Sequence, residues 1–240
     1  MSACYVENVR KVFPTKQGEF VALEDISFDV EEGEVYMITG PSRCGKTTLL
    51  SIIGGLLEPT SGTSTLHGMN LYNMDEKEAA DFRLRHIGYV FQTPQLISSF
   101  TLLENLSVPL HLMGIRNKLA EERALEVIEQ LGLLTHKDDV PDILSEAEKT
   151  LVAIGRALVL LPKILILDEP TSSLDHSSGV KILTHLRELA YDHQITVIAA
   201  ITDVRLHPFA DRVAKMRDGK IFMVSGEPGA IENATPFLKL

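Results

Sequence analysis

The residues with the clearest chemical meaning form a glycine-bearing loop near the start of the chain. Residues 40–47 read Gly-Pro-Ser-Arg-Cys-Gly-Lys-Thr and match the pattern G-x-x-x-x-G-K-[ST] between a strand pattern and a helical one. In such a loop, backbone N–H groups and the helix N-terminus point at phosphate groups. Lys46 is then placed to reach the β- and γ-phosphates, and the Thr47 hydroxyl to bind Mg²⁺. The sequence therefore predicts that ATP with Mg²⁺ binds here. The candidate nucleotide-binding residues are Gly40, Pro41, Ser42, Arg43, Cys44, Gly45, Lys46, Thr47 and Thr48.

A second segment, far along the chain, supplies acidic partners for this loop. Residues 164–167 read Ile-Leu-Ile-Leu and are followed directly by Asp168 and Glu169. Four apolar residues are typical of a strand buried in a parallel sheet, whose ligand crevice lies at the carboxyl ends of the strands. Asp168 is then the acid on the Mg²⁺ side. Glu169 is the candidate to orient or deprotonate the attacking water, and with Lys46 it is a candidate catalytic residue.

The elements that must position these residues alternate between strand and helix patterns. Strand patterns cover residues 5–9, 26–30, 35–39, 63–66, 87–91, 163–167, 195–201, 213–216 and 221–224. Helical patterns cover residues 47–57, 74–85, 101–112, 120–134, 145–160 and 176–190. Turns are indicated at residues 14–18 and 59–62, and Asp218-Gly219 predicts a hairpin between the last two strands.

This order of elements predicts an α/β fold with a doubly wound, phosphate-binding sheet. Helices are expected on both faces, with ligands at the carboxyl ends of the strands. The N-terminal strands indicate an antiparallel β subdomain, and residues 93–158 are interpreted as a mostly helical insertion subdomain. Residues 1–240 are therefore expected to form a single ATP-binding domain, with residues 1–92 and 159–240 as its core.

The composition excludes several classes of protein. Of the 240 residues, 45% are apolar and 23% charged, which is typical of an ordinary globular protein with a sizeable core. No apolar run reaches the roughly 18 residues needed to span a bilayer, and the N-terminus lacks a signal-peptide pattern, so we expect a cytosolic location. The net charge of −10 argues against a nucleic-acid partner, and two cysteines are too few for a disulfide framework or zinc site.

Three further segments resemble motifs of the ATP-binding cassette (ABC) transporter ATPases. Residues 168–175 (DEPTSSLD) are similar to their Walker B motif and D-loop, and residues 88–92 (GYVFQ) to their Q-loop. Leu144-Ser145, leading into residues 152–158 (VAIGRAL), resembles their signature segment and its helix. The resemblance covers essentially the whole chain, with the motifs in the family's order.

Finer features resemble one branch of that family. Residues 51–62, 83–92 and 209–219 look like those of lipoprotein-releasing, macrolide-exporting and cell-division members, which dimerise and drive a separate or fused permease. The resemblance implies an ATPase subunit that couples Mg-ATP binding and slow hydrolysis to an integral-membrane permease. It also implies a second ATP-binding subunit, identical or different, and a cytoplasmic position on the inner face of the cell membrane through the permease.

The resemblance assigns roles to residues outside the loop. Phe13 occupies the position of an aromatic ring that stacks on adenine, although a buried strand-end aromatic is the alternative. Gln92 would sense Mg²⁺ and the attacking water, as a metal ligand and catalytic residue beside Thr47 and Asp168. Ser145 would contact nucleotide from the signature segment. Asp175 would help to close a dimer interface.

Three positions depart from the family pattern. Where the family has the signature L-S-G-G-Q, this chain has Leu-Ser-Glu-Ala-Glu at residues 144–148, and Glu146 adds a carboxylate where a γ-phosphate is expected to approach. Two unit charges about 5 Å apart at an effective dielectric near 20 repel by roughly 3 kcal/mol. Ser145 and Glu148 nevertheless predict a helix-starting capping box. Thr202 replaces the family's switch His. Arg43 replaces a loop Gly, and its backbone would be strained if that position requires positive φ.

Two hypotheses follow from the retained and the altered residues. Lys46, Asp168 and Glu169 favour a genuine ATPase, and the changes at Glu146 and Thr202 indicate that it is slow. The alternative is a hydrolysis-deficient regulatory or heterodimer-partner subunit that binds ATP. For Arg43, backbone strain of about 1 kcal/mol and an added phosphate contact are both open.

Overall fold

The computed structural model describes residues 2–16, 18–172 and 174–227, apart from the side chains of His185, Leu189 and Ala190. The strands are β1 (Ser2–Thr15), β2 (Gly18–Glu31), β3 (Val35–Thr39), β4 (Ser61–Leu66), β5 (Ile87–Val90), β6 (Ile164–Asp168), β7 (Thr196–Ile201), β8 (Arg212–Arg217) and β9 (Lys220–Gly226). The helices are α1 (Lys46–Ile53), α2 (Glu76–His86), α3 (Leu102–Leu112), α4 (Asn117–Gln130), α5 (Glu146–Leu158) and α6 (His176–His193). Short 3-10 helices cover Leu71–Asn73, Leu134–His136, Pro141–Ile143 and Val204–Phe209.

The strands form two sheets. The smaller sheet is antiparallel, with the order β2-β1-β4. The larger has the order β5-β6-β7-β3-β8-β9, in which every neighbouring pair is parallel except β8 and β9. Because β3 and β6 flank β7 in the same direction, the segments that follow them emerge at one edge of the sheet.

Successive side chains along the strands of the larger sheet point into two apolar clusters, one on each face. Both faces of this sheet are therefore covered. On one face, Tyr36, Ile166 and Ile198 pack with α1 and the antiparallel sheet. On the other face, Met37 and Leu167 pack with α5 and α6. The predicted α/β fold, with helices on both faces and an N-terminal antiparallel sheet, is confirmed.

A third apolar cluster lies among α3, α4 and α5. Its buried side chains recur at four-residue spacing along α3 and along α4, which places them on one face of each helix. They are Leu102, Leu106, Leu110, Ala120, Ala124, Ile128 and Val152, with others from the connecting segments. Helix α5 also contributes to the cluster under the larger sheet, so it joins the helical segment to that sheet.

Some predicted boundaries were wrong. Strands β1 and β2 are each 14 residues long because bulges near Asn8 let the pairing continue through polar positions. Helix α1 ends at Ile53, not at residue 57, because Gly54 and Gly55 follow and Gly55 adopts a φ of 66°. Gln17, within the predicted turn at residues 14–18, lies outside the described residues. The Asp218-Gly219 hairpin is confirmed, with both residues at positive φ.

Across the part of the chain that the structure describes, every helix is too short or too polar to cross a bilayer.

Candidate active site

The glycine-bearing loop runs from the end of β3 to the start of α1. Gly45 precedes the helix with a φ of 110°, a conformation that favours glycine. Gly40 is equally constrained, since a Cβ there would lie 2.1 Å from the Met216 carbonyl oxygen. The backbone conformation of Gly45 and the close approach at Gly40 explain why the loop needs glycine at both positions.

Lys46 is held in the loop by the chain around it. Its side chain is buried, and its Nζ donates to the carbonyl oxygens of Gly40 (2.8 Å) and Pro41 (3.2 Å). Cys44 is buried as well, and burial raises the pKa of its thiol although the Lys46 charge opposes the shift. An inert Cys44 thiol and a positioned Lys46 ammonium follow from this arrangement.

Arg43 has a φ of 67°, the left-handed conformation that was expected if this position required positive φ. Its side chain is exposed, as are those of Pro41, Ser42 and Thr47, whereas Thr48 is half-buried. An L-residue in this region carries strain of about 1 kcal/mol. The backbone condition for strain at Arg43 is therefore met, and a phosphate contact by its guanidinium stays a prediction.

The structure brings the loop and the acidic pair together. Lys46 Nζ lies 3.1 Å from Glu169 Oε1, and the two side chains are only 6% and 11% exposed. The Thr47 hydroxyl donates to Asp168 Oδ1 at 3.1 Å. Lys46 and Thr47, which follow β3, thus contact Glu169 and Asp168 at the end of β6. More than a hundred residues separate the two pairs in sequence.

The electrostatics of Asp168 reflect its position at the end of a buried strand. Burial raises the pKa of this carboxyl, and the hydrogen bond from Thr47 and the Lys46 charge lower it. A divalent cation at this carboxylate would offset the cost of burying its charge.

The donor set fits Mg²⁺, a hard cation that prefers oxygen ligands and is commonly held by one or two carboxylates together with substrate phosphates. The Thr47 hydroxyl and the Asp168 carboxylate supply oxygens within hydrogen-bond distance of each other. These two residues could therefore hold the metal. Gln92 follows β5 with an exposed side chain, and within the described residues it forms no hydrogen bond with Thr47 or Asp168.

Glu169 is oriented by its backbone and by Thr202. It adopts a φ of 49°, and its N–H donates to the Ala200 carbonyl oxygen at 2.9 Å. The Thr202 N–H donates to Glu169 Oε2 at 3.0 Å, and the Thr202 hydroxyl donates to Glu169 Oε1. Sequence reasoning missed this contact. Two apolar runs that end in Asp168-Glu169 and in Thr202 are visible in the sequence, but their adjacency as β6 and β7 is seen only in the structure.

The remaining predicted residues lie on other elements. Phe13 is half-buried near the β1–β2 turn, where Lys11 Nζ lies 5.2 Å from its ring centroid. Asp175 accepts hydrogen bonds from the Ser178 N–H (3.1 Å) and hydroxyl (2.7 Å), which hold its pKa well below the usual value. Ser173, part of the predicted D-loop, lies outside the described residues.

The start of α5 confirms the predicted capping box. Glu148 N–H donates to the Ser145 hydroxyl at 3.3 Å, and the Ser145 N–H donates to the Glu148 carboxylate at 2.8 Å. Ser145 forms no hydrogen bond with residues 40–48 in the described chain. Glu146 is more than half exposed and pairs with Lys149 at 2.8 Å. The Lys149 ammonium therefore partly offsets the negative charge of Glu146, which the repulsion estimated from the sequence did not include.

Comparison with known proteins agrees with this geometry. Residues 23–172 match the family model described as "ABC transporter". The chain is 37% identical over 217 residues to the lipoprotein-releasing system ATP-binding protein LolD of Bacteroides fragilis, a match that covers 90% of this chain and 99% of LolD.

Two solved structures extend the likeness. The dimeric ATP-binding cassette MJ0796, bound to ADP and Pi in a post-hydrolysis state, aligns with a TM-score of 0.88 and 32% identity, covering 93% of this chain and 98% of that one. The protein cbiO1 from Clostridium perfringens, described as part of the ABC transporter complex cbiONQ, aligns with a TM-score of 0.83 and 30% identity, covering 97% and 91% of the two chains.

Proposed function

The chain belongs to the ABC transporter family as an ATP-binding subunit, and from that membership we propose that it hydrolyses Mg-ATP slowly, with Glu169 activating the attacking water. The observation that carries the proposal is the ion pair between Lys46 and Glu169, beside the hydrogen bond between Thr47 and Asp168. Phosphoryl transfer to water needs a phosphate-binding cation and a water-activating acid at one site, and these contacts place both there.

The contacts suggest the order in which these residues act during hydrolysis. Lys46 is bound by two carbonyl oxygens and by the Glu169 carboxylate. Phosphate oxygens entering the loop compete for the Lys46 ammonium, and the Glu169 carboxylate becomes free to accept a proton from water. When bound at Thr47 and Asp168, Mg²⁺ would neutralise charge that develops on the phosphate oxygens.

We propose slow turnover because two positions differ from the family's pattern. The neutral Thr202 stands where a His is expected, and its hydroxyl is used by Glu169. Glu146 brings a carboxylate to the signature segment, but its pairing with Lys149 reduces the expected repulsion. Hydrolysis is therefore slowed more by Thr202 than by Glu146 in this proposal.

Partners and location are proposed from the relatives. MJ0796 is a dimeric cassette, and cbiO1 is part of a transporter complex, so we expect a second ATP-binding subunit and an integral-membrane permease. The chain would then lie on the cytoplasmic face of the membrane. Residues 93–158, which contain the apolar cluster of α3, α4 and α5, are proposed as a helical subdomain within one domain of residues 1–240.

Steady-state ATPase assays on the purified full chain test the proposal. We expect turnover above background that depends on Mg²⁺ and is lost in Glu169→Gln, with Glu32→Gln as a control of equal charge change on the turn before β3. Glu169→Gln should still bind Mg-ATP. Binding without turnover in the wild-type chain would support a hydrolysis-deficient regulatory or partner subunit and contradict the ATPase assignment.

A further inference from the structure

We propose that Thr202 is a positioning residue for hydrolysis, because it holds the Glu169 carboxylate in place after Lys46 has turned to the nucleotide. This inference rests on the proposed function, since it assigns the control of Glu169 in the same site. It differs from the expectation from sequence, in which Thr202 was only the replacement of the family's switch His.

The two carboxylate oxygens of Glu169 have different partners. Oε1 accepts from Lys46 Nζ at 3.1 Å and from the Thr202 hydroxyl, whereas Oε2 accepts from the Thr202 N–H at 3.0 Å. If Lys46 moves to phosphate oxygens, both remaining hydrogen bonds come from Thr202. A carboxylate oxygen has two acceptor sites, so each oxygen keeps one site for a water molecule.

The backbone places Thr202 for this contact. Strands β6 and β7 are parallel neighbours, and Asp168 pairs with Ala200 at their carboxyl ends. Thr202 follows β7 by one residue, and Glu169 follows β6 by one residue. The Glu169 N–H is bonded to the Ala200 carbonyl oxygen, and its φ of 49° turns the residue out of the strand. The backbone of Glu169 is therefore held in place, and its carboxylate lies against Thr202.

The chemistry of threonine suits this task. The Thr202 hydroxyl is a neutral donor, so it orients the carboxylate without adding a charge that would compete with Lys46 for Glu169 or attract phosphate. Its β-branched side chain has few accessible χ1 rotamers, which keeps the hydroxyl aimed. A hydrogen bond from such a donor to a charged acceptor is among the stronger ones in proteins.

The test compares Thr202→Val, which removes the hydroxyl but keeps the shape and the N–H, with Thr202→Ser, which keeps the hydroxyl. Thr63→Val, an exposed substitution on β4, is the matched control. We expect kcat for ATP to fall about tenfold or more in Thr202→Val, with the Kd for Mg-ATP changed less than about twofold. That loss, at about 1.4 kcal/mol per factor of ten, matches one hydrogen bond to a charged group. Thr202→Ser should recover most of kcat.

Several results would overturn the inference. If kcat in Thr202→Val equals that of the wild type, the hydroxyl does not position Glu169. A raised Kd with unchanged kcat would mean that Thr202 contacts nucleotide instead. Absence of turnover in the wild-type chain would contradict the proposed function itself, and the positioning role of Thr202 in hydrolysis with it.

A double-mutant cycle of Thr202→Val and Glu169→Gln in thermal unfolding reads the contact without turnover. We expect the two shifts in Tm to be less than additive, whereas additive shifts would show that the residues are not coupled and would contradict the inference.

Discussion

Replacing Glu169 with Gln should tighten nucleotide binding while it abolishes hydrolysis. In the free protein the Glu169 carboxylate forms an ion pair with Lys46. Lys46 Nζ lies 3.1 Å from Glu169 Oε1, and both side chains are nearly buried. ATP phosphates must take Lys46 away from that partner. A neutral amide at residue 169 no longer competes and no longer repels the phosphate charge, so binding requires less rearrangement of charge.

The magnitude follows from the geometry of the pair. Two unit charges 3.1 Å apart interact by about 5 kcal/mol at an effective dielectric near 20. Most of this is offset by desolvation, and Lys46 keeps the carbonyl oxygens of Gly40 and Pro41 in either variant. We expect about 1–2 kcal/mol to reach the binding equilibrium, which is a 5- to 30-fold lower Kd.

Isothermal titration calorimetry with Mg²⁺ and a non-hydrolysable ATP analogue measures both proteins under the same conditions. Glu32→Gln removes one negative charge at the opposite end of β3 and should leave the Kd unchanged. The nucleotide-free Glu169→Gln variant should also unfold at a lower temperature, because Lys46 stays buried without its partner charge. An unchanged or higher Kd in Glu169→Gln would refute the competition between Glu169 and phosphate.

Three further substitutions test the local physical arguments. Thr101→Ala should lower the free energy of unfolding by about 1 kcal/mol in urea denaturation, because it removes the capping bond to the Glu104 N–H at the start of α3. Arg43→Gly should raise the free energy of unfolding by up to about 1 kcal/mol in the same assay, because glycine relieves the left-handed strain. The Ser145 hydroxyl and N–H hold the pKa of Glu148 below its usual value, so Glu148 stabilises the fold above that value and loses the effect as the pH falls. The difference in Tm between wild type and Glu148→Gln should therefore shrink from pH 6 to pH 3.

Each of these has a control and a contrary result. Thr101→Ser keeps the capping oxygen and should be nearly neutral; equal losses for Ala and Ser would exclude capping as the cause. Lys16→Gly, on an exposed residue beside the β1–β2 turn, should not stabilise the chain, so a gain as large as that of Arg43→Gly would contradict the strain argument. For Glu148, a Tm difference that grows as the pH falls would have the wrong sign.

The sequence predicted the loop and the acids because their patterns are local. Glycine spacing reports on backbone conformation, and four apolar residues before Asp168 report on burial in a parallel sheet. Asp218-Gly219 predicted its hairpin for the same reason, since both residues tolerate positive φ. In each case the structural cause lies within a few residues of the signal.

Three features were not predicted, and one of them depends on contacts between segments that are distant in sequence. Leu57 continues the apolar pattern of α1, yet the helix stops at Ile53 because the two glycines that follow permit a turn. The hydrogen bonds from Thr202 to Glu169 depend on which strand neighbours β6, and a single sequence does not give strand order. The pairing of Glu146 with Lys149 has i, i+3 spacing on α5, so its signal was present in the sequence.

We expect Mg-ATP to bind between Lys46, Thr47 and Asp168 and to displace Glu169 from Lys46. A crystal structure of the full chain with Mg²⁺ and a slowly hydrolysed ATP analogue measures this directly. We expect Lys46 Nζ to bond to phosphate oxygens and the metal to lie at Thr47 and Asp168. The separation of Lys46 from Glu169 should grow beyond 3.1 Å. Nucleotide bound elsewhere, or an unbroken Lys46–Glu169 pair beside a bound nucleotide, would contradict it.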